Sequence, residues 1–392
     1  MSTSIAVSQA DFALKLLREA EKSEGQPSAT VISPFSISTA LAMVYAGADG
    51  KTKEQLNNLL AKDADENELH QYFSKLIEDV NKKSEGYVLS SANRLYLHNR
   101  FSLLQGFIER INSDYGGSLR EMDFTQKAAV VQEINNWVEE QTRSKITEIV
   151  TEDIISTDSR LMLINAVYFK GDWNMKFEQK LTRKEAFHVS DGIEKEVDMM
   201  RMGGRKLCYT EDNELQLLGM PYKNKEVYMY VFLPKAKNGL LEMEKNLTGE
   251  RMLELIDECE EIEVMVQIPR FKVENRLELV ETLKKLGIED AFDTCADFSR
   301  MSAVPLNISD VIHKAFIEVN EEGSEAAAAT AVHMVNRCAV NEEGSEASAA
   351  TNIGIQVMCL PPPPTDFIAN HPFMFIVVKN ESVFFIGHYT LL

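Results

Sequence analysis

Residues 47–52 read GADGKT, which looks like the end of a phosphate-binding loop. Such a loop needs a glycine at position 45 and a strand before it, so that backbone N–H groups can cradle phosphate oxygens. Position 45 is Tyr45, and the residues before it have helical spacing, so the segment reads as a helix stop followed by a helix start. Other constellations that would do chemistry are missing too. The seven histidines include no H-E-x-x-H pair, and there is no G-x-S-x-G elbow for a nucleophile. Ser324 follows a glycine, but Glu325 comes next in a polar context. Glu260-Glu261 is one acidic pair among many, and nothing singles out a general acid and its base. The five cysteines, Cys208, Cys259, Cys295, Cys338 and Cys359, are odd in number and scattered, and none forms a C-x-x-C pair. That pattern argues against a disulfide framework and against a zinc site. The expectation is a protein that is not an enzyme, with no metal and no cofactor.

What does stand out is a repeat. VNEEGSEAAAATAVHMVNRC at 319–338 returns as VNEEGSEASAATNIGIQVMC at 340–359, an offset of 21 residues. Eleven of the first twelve positions agree, the next seven all differ, and the closing cysteine returns. The shared half is acidic and then small. Alanines in a row suit a helix, but they also suit a segment that must slip between existing strands without claiming volume. The divergent half, AVHMVNR in one copy and NIGIQVM in the other, reads as exposed sequence that a partner recognises. Unlike halves imply one constraint shared by both copies and one free to change.

The rest of the chain must present that segment. Its first half is mainly helical in pattern. MSTSIAVSQADFALKLLREAEK reads as a capped amphipathic helix rather than a secretion signal, with Ser8 and Asp11 near its start. Ser33-Pro34 opens a second helix that stops at Gly47–Gly50. KTKEQLNNLL and NELHQYFSKLIEDVNKK follow. In QKAAVVQEINNWVEEQTRSKI, Val131, Ile134, Trp137 and Val138 share a face, with Trp137 as a core anchor. RLMLINAVYFKGDW, KEVYMYVFLPK and EIEVMVQIPRFKVE read as strands, LLEMEKNLTGERMLELIDECEE as helix, and the last residues as two strands turning near Asn380-Glu381. No Gly/Ser/Pro-rich spacer separates two halves, so the expected fold class is α+β, one domain over 1–392. A formal net charge of −20 argues against nucleic acid and anionic membrane as partners. No run of 18 apolar residues exists to span a bilayer. The expected compartment is the cytoplasm, with unconventional secretion left open; the sequons at Asn246, Asn307 and Asn380 go unused there.

Taken together, VISPFSISTALAMVYAGADGKTKEQ, SANRLYLHNRF, LINAVYFKGDWNMKF, VFLPK, IPRFKVE, ADFSRMS, HKAFIEVNEEGSEAAAAT and FIANHPFMFIV resemble the serpin family, in the family's order and nearly from end to end. Without one repeat copy the chain would be 371 residues, close to a serpin core. The resemblance implies three β-sheets, eight or nine helices and an exposed reactive-centre loop, here about 320–364. It also implies a monomer that inhibits serine proteases. The protease attacks the loop and forms an acyl-enzyme, and the cleaved loop then inserts as a new strand in the central sheet. The tethered protease is dragged along and loses the geometry that deacylation requires. Stored strain of this kind is a recognised use of loop insertion.

The resemblance also assigns residues. Glu321, Gly323, Ser324 and Ala326, Ala327 and Ala328 match the hinge, as do Gly344, Ser345 and Ala347 in the second copy. Glu321 takes a basic partner that the sequence does not name. Ser33, Ser36, Asn165 and His313 match a polar cluster beneath the opening of the central sheet, and Trp173 matches a tryptophan at its top. Family members are cleaved after the fifteenth residue from the hinge glycine. That places the bait bonds at Arg337-Cys338 and at Met358-Cys359. Arg337 suits trypsin-like proteases and Met358 chymotrypsin- or elastase-like ones; cysteine proteases are an additional class of target. The alternative reading is a non-inhibitory serpin-fold protein, a chaperone, storage or binding protein, whose long loop is merely cleavable.

Overall fold

The computed structural model describes residues 4–24, 29–62, 64–82, 84–324 and 363–391. Helix α1 (Ser4–Glu24) comes first, its face of Phe12, Leu16 and Leu17 buried. A short strand β1 (Thr30–Ile32) leads into α2 (Pro34–Tyr45), which is buried along its whole length. Ser33 caps α2 and Pro34 fills its first position, where a missing N–H costs nothing. Helices α3 (Gly50–Leu60) and α4 (Glu66–Asn81) follow, so GADGKT is indeed the link between two helices. α4 opens with a capping box between Asp65 and Glu68. Next come β2 (Tyr87–His98), α5 (Gln105–Tyr115), β3 (Leu119–Met122), α6 (Lys127–Gln141) and β4 (Leu161–Asp172). The strands β5 (Arg183–Ser190), β6 (Ile193–Glu211), β7 (Leu215–Pro221) and β8 (Tyr228–Pro234) form a meander. The stretch expected as one helix is two, α7 (Leu240–Asn246) and α8 (Gly249–Asp257), because Thr248 caps a new start. Then come β9 (Glu260–Pro269), β10 (Phe271–Glu278), α9 (Val280–Lys285), β11 (Ile308–Val319) and the two-residue β12 (Gly323–Ser324). The described chain closes with β13 (Thr365–Ile368), β14 (Phe373–Lys379) and β15 (Ser382–Tyr389). The last turn sits at Asn380-Glu381, both with positive φ, as the sequence suggests.

One sheet has six strands in the order β10-β11-β12-β4-β2-β3. The other nine strands form a continuous network in which β6, 19 residues long, is the shared spine. A register shift between Met202 and Arg205 divides β6. Before it β6 pairs with β5, and after it with β7, so the network is two sheets fused along one strand. This is the α+β, three-sheet arrangement with nine α-helices among the described residues. The first half of the chain reads as mainly helical, yet it contributes β2 and β3. β2 alternates only weakly in burial, so period-two patterning there is faint. Trp137 departs from its expected role as a core anchor. It is half-buried, with the Arg94 guanidinium 4.0 Å from its ring centre, while Val130, Ile134 and Val138 carry the buried stripe of α6.

Candidate functional site

The repeat begins at the upper end of the six-stranded sheet. There β4 and β11 run parallel and pair directly from Leu161↔Ile308 through Asn165↔His313 to Tyr168↔Phe316. Above Phe316 the two strands part, and β12 enters between them. Ser324 pairs with Val319 on one side and Gly171 on the other, and Gly323 pairs with Asp172. A Cβ on Gly323 would lie 2.0 Å from the Gly171 carbonyl oxygen, so only glycine fits this approach. Ser324 is fully buried, and its hydroxyl meets that of Tyr222. Tyr222 in turn stacks on Trp173, with ring centres 4.5 Å apart and planes within 11°.

Trp173 also holds the turn that leads into β12. Its indole N–H donates to Asn320 O and its amide N–H to Glu322 O, both at 2.9 Å. The Phe177 amide donates to Glu321 O at 3.0 Å. The Glu321 side chain is only 3 % exposed, and Arg270 is its basic partner. Thr182 Oγ1 donates to the same carboxylate oxygen at 2.6 Å. Burial pushes this carboxyl up, but the bonds from Arg270 and Thr182 outweigh it and hold the group below its ordinary value. Lys176 pairs with Glu322 beside it on the surface.

Lower on the seam, four expected residues meet in one network. Ser33 N–H donates to His313 Nε2 at 3.1 Å, and His313 Nδ1 bonds the Asn165 side-chain Oδ1. The Asn165 amide donates to Ser36 Oγ, and Ser36 Oγ to Asn93 Oδ1, both at 2.5 Å. Asn93 Nδ2 donates to Ser91 Oγ at 3.0 Å. An accepting Nε2 and a donating Nδ1 require neutral imidazole. Full burial enforces this by lowering the His313 pKa to about 3. Ser91 and Asn93, on β2, belong to the network although sequence reasoning did not select them. Nor did it select Arg270, Thr182 or Tyr222, which lie remote in sequence from the hinge. Ala326, Ala327, Ala328, Arg337, Cys338, Gly344, Ser345, Ala347, Met358 and Cys359 lie outside the described residues.

The seam, its wedge and the network beneath are accompanied by likeness over the whole chain. The model of the family described as "Serpin (serine protease inhibitor)" matches residues 7–339 and 335–391. The chain belongs to the serpin family. The two matches overlap at 335–339, inside the repeated region. Serpin B6 of Pongo abelii is 37% identical to this serpin, over 98% of this chain and 99% of its own. The leukocyte elastase inhibitor of Homo sapiens is 36% identical, over 94% of each. The crystal structure of Serpin48 from the insect Tenebrio molitor superposes with a TM-score of 0.84 at 29% identity, covering 99% of this serpin and 98% of that chain. Among the described residues no group of three or more His, Cys, Asp or Glu could hold a metal ion, and no helix is long and apolar enough to cross a membrane.

Proposed function

We propose that this serpin is a monomeric, non-enzymatic inhibitor of serine proteases that traps the acyl-enzyme by inserting its reactive loop between β4 and β11. The observation that carries this reading is β12. Two hinge residues already occupy the top of the seam, in register with both flanking strands. Continued downward, that register sets Thr330 between Asn165 and His313, the pair that now bond each other across the seam. A threonine hydroxyl both donates and accepts, so it can take over the bonds that separation breaks.

The same register supports insertion of either cassette. Ser324 faces the core, and side chains alternate along a strand. Ser324, Ala326, Ala328, Thr330, Val332 and Met334 then face inward in the first copy. In the second, seated alike, the inward set is Ser345, Ala347, Ala349, Thr351, Ile353 and Ile355. The first two inward positions of the divergent half are therefore apolar in both copies, while the third is Asn336 in the first and Val357 in the second. The outer face changes more freely, with Ala331, His333 and Val335 against Asn352, Gly354 and Gln356.

Loop length distinguishes the two bait bonds. Fifteen extended residues reach roughly 50 Å, which takes Arg337 to the far pole once Gly323 leads the insertion. Gly323 to Met358 is 36 residues, up to roughly 120 Å, which leaves a protease at Met358 on a slack tether when the first hinge inserts. Insertion led by Gly344 instead loops out 21 residues, at a cost of about 2–3 kcal/mol. Arg337, facing trypsin-like proteases, is thus the efficient trap, and Met358, facing chymotrypsin- or elastase-like ones, the weaker. The proposed site of action is the cytoplasm. The doubled loop favours the second reading, a non-inhibitory serpin with a long cleavable segment. A thermal melt before and after loop cleavage decides. A large rise in Tm means insertion; an unchanged Tm overturns the inhibitory reading.

A further inference from the structure

A cavity of about 170 Å³ lies where β5 ends, α7 begins and the chain leaves β15. None of its lining residues belongs to β4, β11 or β12. Val189, Leu240, Leu241 and Pro372 form its apolar wall, and its polar side includes Lys237 and Thr390. Val189, Leu240 and Pro372 are buried, whereas Leu241 is 54 % exposed and forms the mouth. An apolar cavity of about 150 Å³ holds a benzene-sized guest, so this one takes a chain of about six carbons.

Two polar groups give the cavity its preference. Thr390 is 3 % exposed, and its hydroxyl has no hydrogen-bond partner among the described residues. A buried hydroxyl without a partner is rare in a folded protein and calls for an explanation. Lys237 stands exposed in the loop between β8 and α7 and pairs with no carboxylate among the described residues. Its Nζ lies 3.0 Å from His188 Nε2 instead. A lysine only donates, so Nε2 accepts and Nδ1 donates to Glu194 at 2.7 Å. The imidazole therefore does not cancel the ammonium charge. The acids nearby are engaged elsewhere, Glu194 by His188 and Asp191 by the Asn238 amide at 2.5 Å.

We propose that this cavity binds a short alkyl carboxylate. The tail, about six carbons long, covers Val189, Leu240, Leu241 and Pro372. The carboxylate accepts from Lys237 Nζ and from Thr390 Oγ1, which gives that hydroxyl the partner it lacks. Wall and donors together select this class. An alkane would leave both donors alone, and a bare anion would leave the apolar wall in water. β5 is an edge strand that pairs only with β6 among the described residues. A guest that touches the end of β5, the start of α7 and the residue after β15 ties that edge down, and it raises Tm by mass action. This inference does not depend on the inhibitory reading.

The test titrates the full chain with hexanoate by calorimetry and follows Tm. The expected result is a single saturable site and a rise in Tm that saturates with it. Lys237→Met should weaken hexanoate about tenfold, the scale of a lost charge-assisted bond. The neutral probe 1-hexanol, which has the tail without the charge, should bind both proteins alike. Thr390→Val should also weaken hexanoate, yet leave the Tm of the free protein no lower, since the hydroxyl it removes has no partner. Leu241→Glu changes only the exposed mouth and should abolish binding by placing like charge against the ligand. No saturable heat at millimolar hexanoate, or an unchanged affinity in Lys237→Met or in Leu241→Glu, overturns the proposal.

Discussion

Asn165 and His313 sit directly opposite one another on β4 and β11, and the His313 Nδ1 bonds the Asn165 side-chain Oδ1 across the seam. These parallel strands have no covalent reason to stay together at that level. Their junction is held by backbone ladder bonds and by one buried polar network that also reaches Ser33, Ser36, Asn93 and Ser91. A buried network of this kind is stable when every member is satisfied and costly when one partner is lost. The same feature makes the seam closed at rest and separable once another strand supplies equivalent bonds.

The network is predicted to weaken in acid. The folded His313 pKa, about 3, lies below the ordinary value of 6.5, so the unfolded state takes up a proton first as pH falls. The stability that His313 contributes is therefore fully present above about pH 6.5 and is lost as pH falls toward 3. His313→Gln should cost about 1–3 kcal/mol at neutral pH, the scale of a buried polar group left unsatisfied. Chemical unfolding of both proteins across pH checks this. Their difference in stability should shrink on acidification, and a constant difference would show that His313 is not neutral in the fold.

Arg270 is predicted to matter more than a surface arginine does. Its partner Glu321 is buried, so Arg270→Ala leaves a carboxylate without its cation and should cost roughly 1–3 kcal/mol. Arg270→Ala with Glu321→Gln should recover part of that loss, because the neutral amide no longer needs a cation. Urea midpoints of the two single variants and the double variant supply the cycle. Simple additivity would mean that the pair is not coupled.

Seating of the hinge is predicted to report through Trp173. Gly323→Val places a Cβ against the Gly171 carbonyl and cannot occupy β12. Displacing Gly323 and Ser324 also removes the Ser324–Tyr222 contact and loosens the turn that Trp173 holds. In a Trp137→Phe background, emission should shift to the red in Gly323→Val. An unchanged spectrum would place Trp173 outside the reach of the hinge.

The two bait bonds are predicted to differ in outcome rather than in cleavage. Trypsin-like protease should give a complex stable to SDS, which Arg337→Ala abolishes. Chymotrypsin-like protease should give mostly cleaved serpin. A stable complex through Met358 with none through Arg337 would reverse the tether argument. Deleting one copy, residues 319–339, should restore trapping at Met358, since that bond then lies fifteen residues from its hinge.

Much of the frame is legible in sequence because it rests on local signals. Ser33-Pro34 starts α2 by capping, the amphipathic spacing of 66–81 yields α4, and Asn380-Glu381 turns the last hairpin. The break between α7 and α8 is less legible, since Thr248 restarts a helix inside a continuous helical pattern. Trp137 misleads for a related reason: a helical stripe predicts which face is inward, not which member of it is covered.

By itself the sequence determined the family, the small and acidic shared half of the two repeat copies, and the two distances from hinge glycine to proposed bait bond. Those are properties of composition, order and count. Only the tertiary structure decided that Arg270 and Thr182 hold Glu321, that Tyr222 and Trp173 seat Ser324, and that Ser91 and Asn93 complete the network of His313. These partners come from elements tens to hundreds of residues apart. No local periodicity brings them together; strand pairing and packing do.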